Sequence, residues 1–431
     1  MKEVFLLFAV LFVGFFVFEF IRKKPYHAMS VYYAGMFIKR FVLPEARVRE
    51  SVMVQLLLMA ICFIMAFIGY NTKIKKSPSI TNIACMKTGF FVVGVIVFLE
   101  ALNGYFSYYA IFSIIVDIYK VAEIFLFYFM FVYIWRTTEE MEKAVDLLAI
   151  EMCIFGFVEM FTTERGGVGL NMLMSLAPII FALGFYTHKK RFWTIIVCSL
   201  LIVLVSKTRT YLLGFILAIL LIFFFANGKR KLKIAVTGCC ILAIGASILA
   251  LYSRNVDGGM VHAIIERLTD LSSGFEEAGG YRIYEMETAW SKFLESIWIG
   301  KGYGYMEYVY IETQGYFWWG DFMHNAYLEI LVKTGFLGLF LYGGGIIVYC
   351  KKQYQRVRCS RGKRSKETGF LIGGLAGTFC WLFVYFAAPL SSYGYVFIPG
   401  IMGLLYSKLR EREDILANGV FLREEGIRNG R

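Results

Sequence analysis

Runs of about 20 apolar residues recur along the whole of this 431-residue chain, and no other feature restricts its fold so tightly. Backbone polar groups in hydrocarbon must be satisfied within each crossing segment. The period-2 alternation of a membrane barrel is absent, so the crossing segments read as helices. Runs able to span are 4–21, 51–70, 88–103, 119–135, 144–162, 170–186, 191–206, 211–226, 232–252, 325–349, 369–388 and 391–407. The expected fold is all-α, a polytopic membrane helical bundle of about 12 transmembrane helices with one large extracytoplasmic loop containing short helices. The stretch 28–43 is ambiguous: it is apolar but short, and it carries Lys39 and Arg40. Met1 to Phe20 reads as a retained first span, because it lacks a small-residue cleavage site.

Composition agrees, with 58% hydrophobic and only 18% charged residues; a soluble domain would carry roughly 25% charge. The net charge of +13 invites a nucleic-acid reading, but its placement argues for membrane topology instead. Eight Lys or Arg and no acid fall between Lys351 and Lys366, as in a cytoplasmic loop obeying the positive-inside rule. Counting back from there, the links at 136–143, 187–191 and 227–231 are cytoplasmic and 253–323 is outside. That outer loop is acidic, with eleven Asp or Glu against five Lys or Arg. One strain remains: twelve spans leave Arg22, Lys23 and Lys24 outside, and a thirteenth helix at 28–43 would move them in. The division expected is an N-terminal transmembrane bundle (1–252), an extracytoplasmic catalytic loop (253–323), C-terminal transmembrane helices (324–407) and a cytoplasmic tail (408–431).

The nine cysteines show no CxxC or Cys/His spacing, so neither a disulfide framework nor a metal site is expected. No phosphate-binding glycine loop appears, which excludes an ATP engine within the chain. Chemistry is therefore sought where polar residues meet the bundle. Lys207 and Arg209 sit in a tight link whose inferred side is outside, against the positive-inside preference, which points to an anionic ligand. Arg282 follows Gly279 and Gly280 and reads as opening a helix, where a guanidinium beside free N–H groups would suit phosphate; the alternative is a solvated surface residue. Gly300, Gly302 and Gly304 allow a tight turn and close backbone approach to a ligand, or a structural turn. The aromatics from Tyr303 to Trp319 could stack on sugars or form an interfacial belt. His324 re-enters the bundle beside Asn325 and can take a proton near neutral pH, and Asp321 could orient it. The amphipathic stretch 260–273 reads as a helix lying on the bundle or at the lipid interface.

Three separated elements, SKTRT at 206–210, the Arg282 stretch running into GKGYG, and HNAYLEILVKTGFLG at 324–338, together resemble the O-antigen ligase and polymerase family of bacterial membrane glycosyltransferases. The resemblance covers about 206 to 350. It implies transfer of a glycan from an undecaprenyl diphosphate carrier to an acceptor hydroxyl, with inversion and with neither metal nor nucleotide cofactor. Arg209 and Arg282 then match diphosphate ligands, and His324 matches the histidine that activates the acceptor or binds the leaving group. Lys207 departs from the small residue often found at its place. The implied setting is the bacterial cytoplasmic membrane, with the site on its outer face. The implied partners are the lipid-linked donor, a glycan acceptor, the bilayer, a chain-length regulator and a flippase. Polymerisation of O-antigen, capsular or exopolysaccharide repeat units is the expected activity, on the ground that no separate acceptor-binding domain is appended. Ligation to lipid A core or to protein is the alternative. A lipid-linked sugar transporter remains a third reading, since Glu100, Glu123, Asp146 and Glu151 fall in or near apolar runs.

Overall fold

The computed structural model describes residues 17–42, 48–73, 85–162, 168–187, 190–205, 209–226, 228–238, 275–311, 316–320, 325–360, 365–386 and 395–428. After a 3-10 turn at Pro25–His27 come α1 (Ala28–Val42), α2 (Val48–Lys73), α3 (Cys85–Phe106), α4 (Ile111–Ile134), α5 (Thr138–Thr162), α6 (Val168–Thr187), α7 (Lys190–Val205) and α8 (Arg209–Phe225). The loop region then supplies α9 (Phe275–Leu294) and two strands, β1 (Glu307–Ile311) and β2 (Tyr316–Gly320). Three helices close the fold: α10 (Ala326–Ser360), α11 (Ser365–Val384) and α12 (Ile398–Arg428). The ambiguous stretch at 28–43 is thus a helix, opened by Pro25, whose fixed φ suits a first turn.

Four helices among the described residues are long and apolar enough to cross a membrane: Met53–Tyr70, Gly169–Thr187, Ala326–Ser360 and Lys366–Val384. Shorter apolar helices lie at Val93–Phe106 and Thr210–Phe225. The expected runs 119–135 and 144–162 are helical too, but each carries too many charges to count by the same measure. Asp117, Lys120 and Glu123 lie in α4, and Asp146, Glu151 and Glu159 in α5. The runs 4–21 and 232–252 fall largely outside the described residues, as do 239–274 and with them the expected amphipathic helix.

Helix α6 is the hub: 94% of its apolar window is buried, against 28% for α2. It packs on α5, α7, α8 and α11. Gly373 of α11 allows a close approach to α6, since a Cβ there would strike Ile179 Cα and lie 2.8 Å from the Pro178 carbonyl oxygen. On the periphery, Met53, Leu57, Ile64 and Phe67 of α2 and Phe98 of α3 face outward. Large apolar side chains exposed along such helices suit a lipid surround.

The basic links gather at one end. Lys366 pairs with Glu142 at 2.7 Å, Arg230 lies over the Tyr186 ring at 4.2 Å, and Glu413 accepts from the Thr138 amide and hydroxyl, both at 2.8 Å. These contacts join the starts of α11 and α5, α5 with α12, and the end of α6 with the segment 228–238. The fold departs from all-α in one respect. β1 and β2 form an antiparallel hairpin in register Glu307↔Gly320, Tyr308↔Trp319 and Tyr310↔Phe317, built from the aromatics that read as a belt or a stacking surface.

Candidate functional site

Helix α10 begins where Asn325 caps it. The Asn325 Oδ1 accepts from the amides of Tyr327 at 3.0 Å and Leu328 at 3.2 Å, satisfying two of the donors that a helix start leaves open. Ten residues on, the helix breaks at Gly335, which takes φ 63° and ψ −164°. A continuous helix would bond the Phe336 and Leu337 amides to the carbonyls of Val332 and Lys333. Instead the turn after α9 inserts there and serves both sides. Phe336 and Leu337 donate to Ile297 at 2.8 Å and Trp298 at 3.1 Å, while the Val332 and Lys333 carbonyls accept from Lys301 at 2.7 Å and Gly302 at 2.9 Å. Two helical bonds are exchanged for four between segments. Non-helical backbone at membrane depth survives only where protein satisfies it, and here protein does.

That exchange accounts for the glycines. A Cβ on Gly300 would lie 2.5 Å from the Thr334 nitrogen, one on Gly302 2.6 Å from the Gly104 nitrogen, and one on Gly304 2.7 Å from Ile114 Cγ1. All three have positive φ, as does Gly335, where a side chain would strike the Trp298 backbone. The close approach that GKGYG permits is to the backbones of α3 and α10 and to Ile114 of α4. At the exposed edge of the turn, hydrogen bonds from Lys292 and Lys301 hold the Glu295 carboxyl down at about 2. The clamp is therefore intact above the ordinary carboxylate range and is lost only as pH falls toward that value.

Helix α9 runs beside the first turns of α10, where Ala289 and Phe293 share a buried cluster with Leu328, Leu331 and Val332. It starts at Phe275 and passes through Gly279 and Gly280, so Arg282 lies two turns inside the helix and does not open it. The expectation of a guanidinium beside free N–H groups is corrected by that start. At about 1.5 Å per residue, Arg282 stands roughly 10 Å before Ala289, toward the start of α10.

Arg209 is the first residue of α8. Two residues later, Tyr211 donates to Asn171 Oδ1 at 2.5 Å and meets the Trp381 ring with centroids 6.1 Å apart. The α11 end bearing Trp381 also holds the start of α10. The Ala326 amide donates to the Tyr385 carbonyl at 3.0 Å, and the Tyr327 hydroxyl to that of Leu382 at 2.6 Å. Glu159 joins from α5, accepting from the amides of Gly169 and Leu170, each at 3.2 Å. The chain positions of Arg209, Arg282 and Asn325 therefore sit toward one end of the bundle, opposite the basic links. His324, Asp321 and Lys207 lie outside the described residues. Among the described residues, no group of three His, Cys, Asp or Glu is placed to hold a metal ion.

Fold and site together define a helical membrane protein in which one broken helix receives a loop turn near its start. Residues 194–343 match the family model described as O-antigen ligase. The match runs from within α7 to the middle of α10 and takes in all three motif positions, as the sequence resemblance implied. No curated protein matches the chain.

Sequence reading missed Asp117 and Lys120 on α4, and Glu329 and Lys333 on α10, which are ion-paired inside the bundle. A signal existed. Each pair places opposite charges one helical turn apart within an otherwise apolar run.

Proposed function

We propose that this protein transfers a glycan from a lipid diphosphate to a sugar hydroxyl, at the end of the bundle toward which the chain positions of Arg209, Arg282 and Asn325 lie, with His324 next to Asn325 in sequence. The convergence of three family motif positions, distant in sequence, carries the reading. In it the acceptor oxygen attacks the anomeric carbon, the bond from that carbon to the diphosphate oxygen breaks, and configuration inverts. Arg209 and Arg282, with Lys207 beside them, hold the diphosphate and stabilise the charge it gains on leaving. His324, oriented by Asp321, takes the acceptor's proton. Asn325, next to His324 in sequence, fixes the start of α10, and the glycines of GKGYG fix the turn. The sugar–diphosphate bond is already activated, so no nucleotide is required. The site lies on the extracytoplasmic face of the cytoplasmic membrane, open sideways to the lipid-borne donor.

Repeat-unit polymerisation is the activity proposed. Transfer to a separate acceptor is the second reading, favoured by the description of the matching family model as O-antigen ligase. Incubating purified protein with an undecaprenyl-diphosphate-linked repeat unit separates them. A ladder of lengthened lipid-linked chains on a gel is expected. Product formed only when lipid A core is added would identify a ligase, and an unchanged donor under both conditions would refute transfer.

A further inference from the structure

Four charged side chains are buried together between α4 and α10. Lys120 of α4 pairs with Glu329 of α10 at 2.7 Å and with Asp117 at 3.4 Å. Lys333 pairs with the same Asp117 oxygen at 2.7 Å and with the same Glu329 oxygen at 3.0 Å. None of the four side chains is more than 5% exposed. The remaining Asp117 oxygen accepts from the Gly304 amide at 2.8 Å. One residue earlier, the Tyr303 amide donates to the Glu100 carbonyl of α3 at 3.1 Å.

Burying two lysines and two carboxylates does not stabilise a fold better than a well-packed apolar quartet would. What a neutral tetrad supplies is register. Charges alternate between partners, so one axial offset of α4 against α10 pairs all four. A slip of one turn, about 5.4 Å, strands ions in a low-dielectric interior. The turn is tied to the same lock through Gly304, and the start of α10 is tied to it through the Glu329 amide, which donates to the Asn325 carbonyl at 3.0 Å.

We propose that Asp117, Lys120, Glu329 and Lys333 are positioning residues for glycan transfer, with α4 setting where the loop turn and the start of α10 stand relative to each other. This rests on the transfer reading above, which assigns the reaction to that end of the bundle. None of the four touches the reacting atoms in this account. Their effect passes through the geometry they impose.

The test uses full-length protein in nanodiscs with the undecaprenyl-diphosphate-linked repeat unit as donor. Glu329→Gln and Asp117→Ala should each lower kcat roughly 100-fold, as expected for a misplaced site. The donor KM should stay within about threefold, because binding groups are untouched. Replacing one opposite pair together, Lys120→Met with Glu329→Leu, strands no charge, leaves Asp117 paired with Lys333 and should recover most of the loss. Hydrogen–deuterium exchange at residues 303–306 should speed up in Asp117→Ala and stay slow in the wild type. Single variants with wild-type kcat, or a paired replacement that regains thermal stability but not turnover, would overturn the proposal. Exchange reads the clamp without turnover, so a protected turn in an inactive wild type would refute glycan transfer separately.

Discussion

At the scale of single residues, groups that act differ from groups that hold. Arg209→Ala and Arg282→Ala should each abolish long-chain glycan while the protein still inserts and accumulates. Lysine at either position should restore little, because an ammonium is a point charge and lacks the two-pronged donor geometry a diphosphate engages. Wild-type chain lengths in either variant would remove that residue from the site. His324→Ala should slow transfer by roughly 10²–10⁴-fold with donor binding retained, the range general-base assistance covers. Loss of donor affinity with normal single-turnover transfer would instead make His324 a diphosphate ligand. Asn325 belongs to the second group, since its Oδ1 is committed to the α10 amides. Asn325→Ala should lower stability by about 0.5–2 kcal/mol in thermal melts, and Asn325→Asp, another good cap, should keep it. These residues were legible from the sequence as types in a pattern. The tetrad was not, because Glu329 and Lys333 pair across 209 and 216 positions with partners on α4, a separation no local spacing reveals.

At the scale of elements, the exchange of backbone bonds between the turn and α10 is the feature on which the site's shape depends. Gly335 stands at the break with φ 63°, and its missing side chain leaves room for Trp298. Gly335→Val should separate turn from helix, because a β-branched residue is strained at positive φ and has no space there. A loss of about 1–3 kcal/mol or more from strain alone is expected in thermal denaturation, with turnover falling alongside. Unchanged melting and turnover would show that the break is not required. Apolar runs revealed nearly every described helix, because the 20-residue requirement of hydrocarbon is insensitive to detail. They did not reveal the break, since Gly335 lies in an apolar stretch that reads as continuous. The hairpin escaped for a related reason: Tyr308, Tyr310 and Trp319 suit a lipid interface as well as a strand. The start of α9 was misplaced because Gly279 and Gly280 read as a boundary, whereas the helix continues through both.

At the scale of the whole molecule, the motif positions lie at one end and the basic links at the other, which makes topology a sharp prediction. In a cysteine-free background, a cysteine placed at Glu276 should react with an impermeant maleimide from outside. One at Lys363 should be protected until the membrane is opened, and the reverse pattern would put the proposed site on the cytoplasmic face. The charged helices α4 and α5 belong to this scale as well. Their acids and lysines lower hydropathy enough to blur the span count, while α5 packs on α6 and α4 packs on α2, α3 and α12. Lipid-borne donor, diphosphate-binding arginines and a locked loop turn form one account only if chain growth and leaving-group release are the same event. The measurement that tests this most directly is release of undecaprenyl diphosphate by purified protein, followed together with product length. One diphosphate freed for every glycosidic bond formed, and neither in Arg209→Ala or Arg282→Ala, is the predicted result. Chain growth without diphosphate release, or release that persists in both arginine variants, would contradict it.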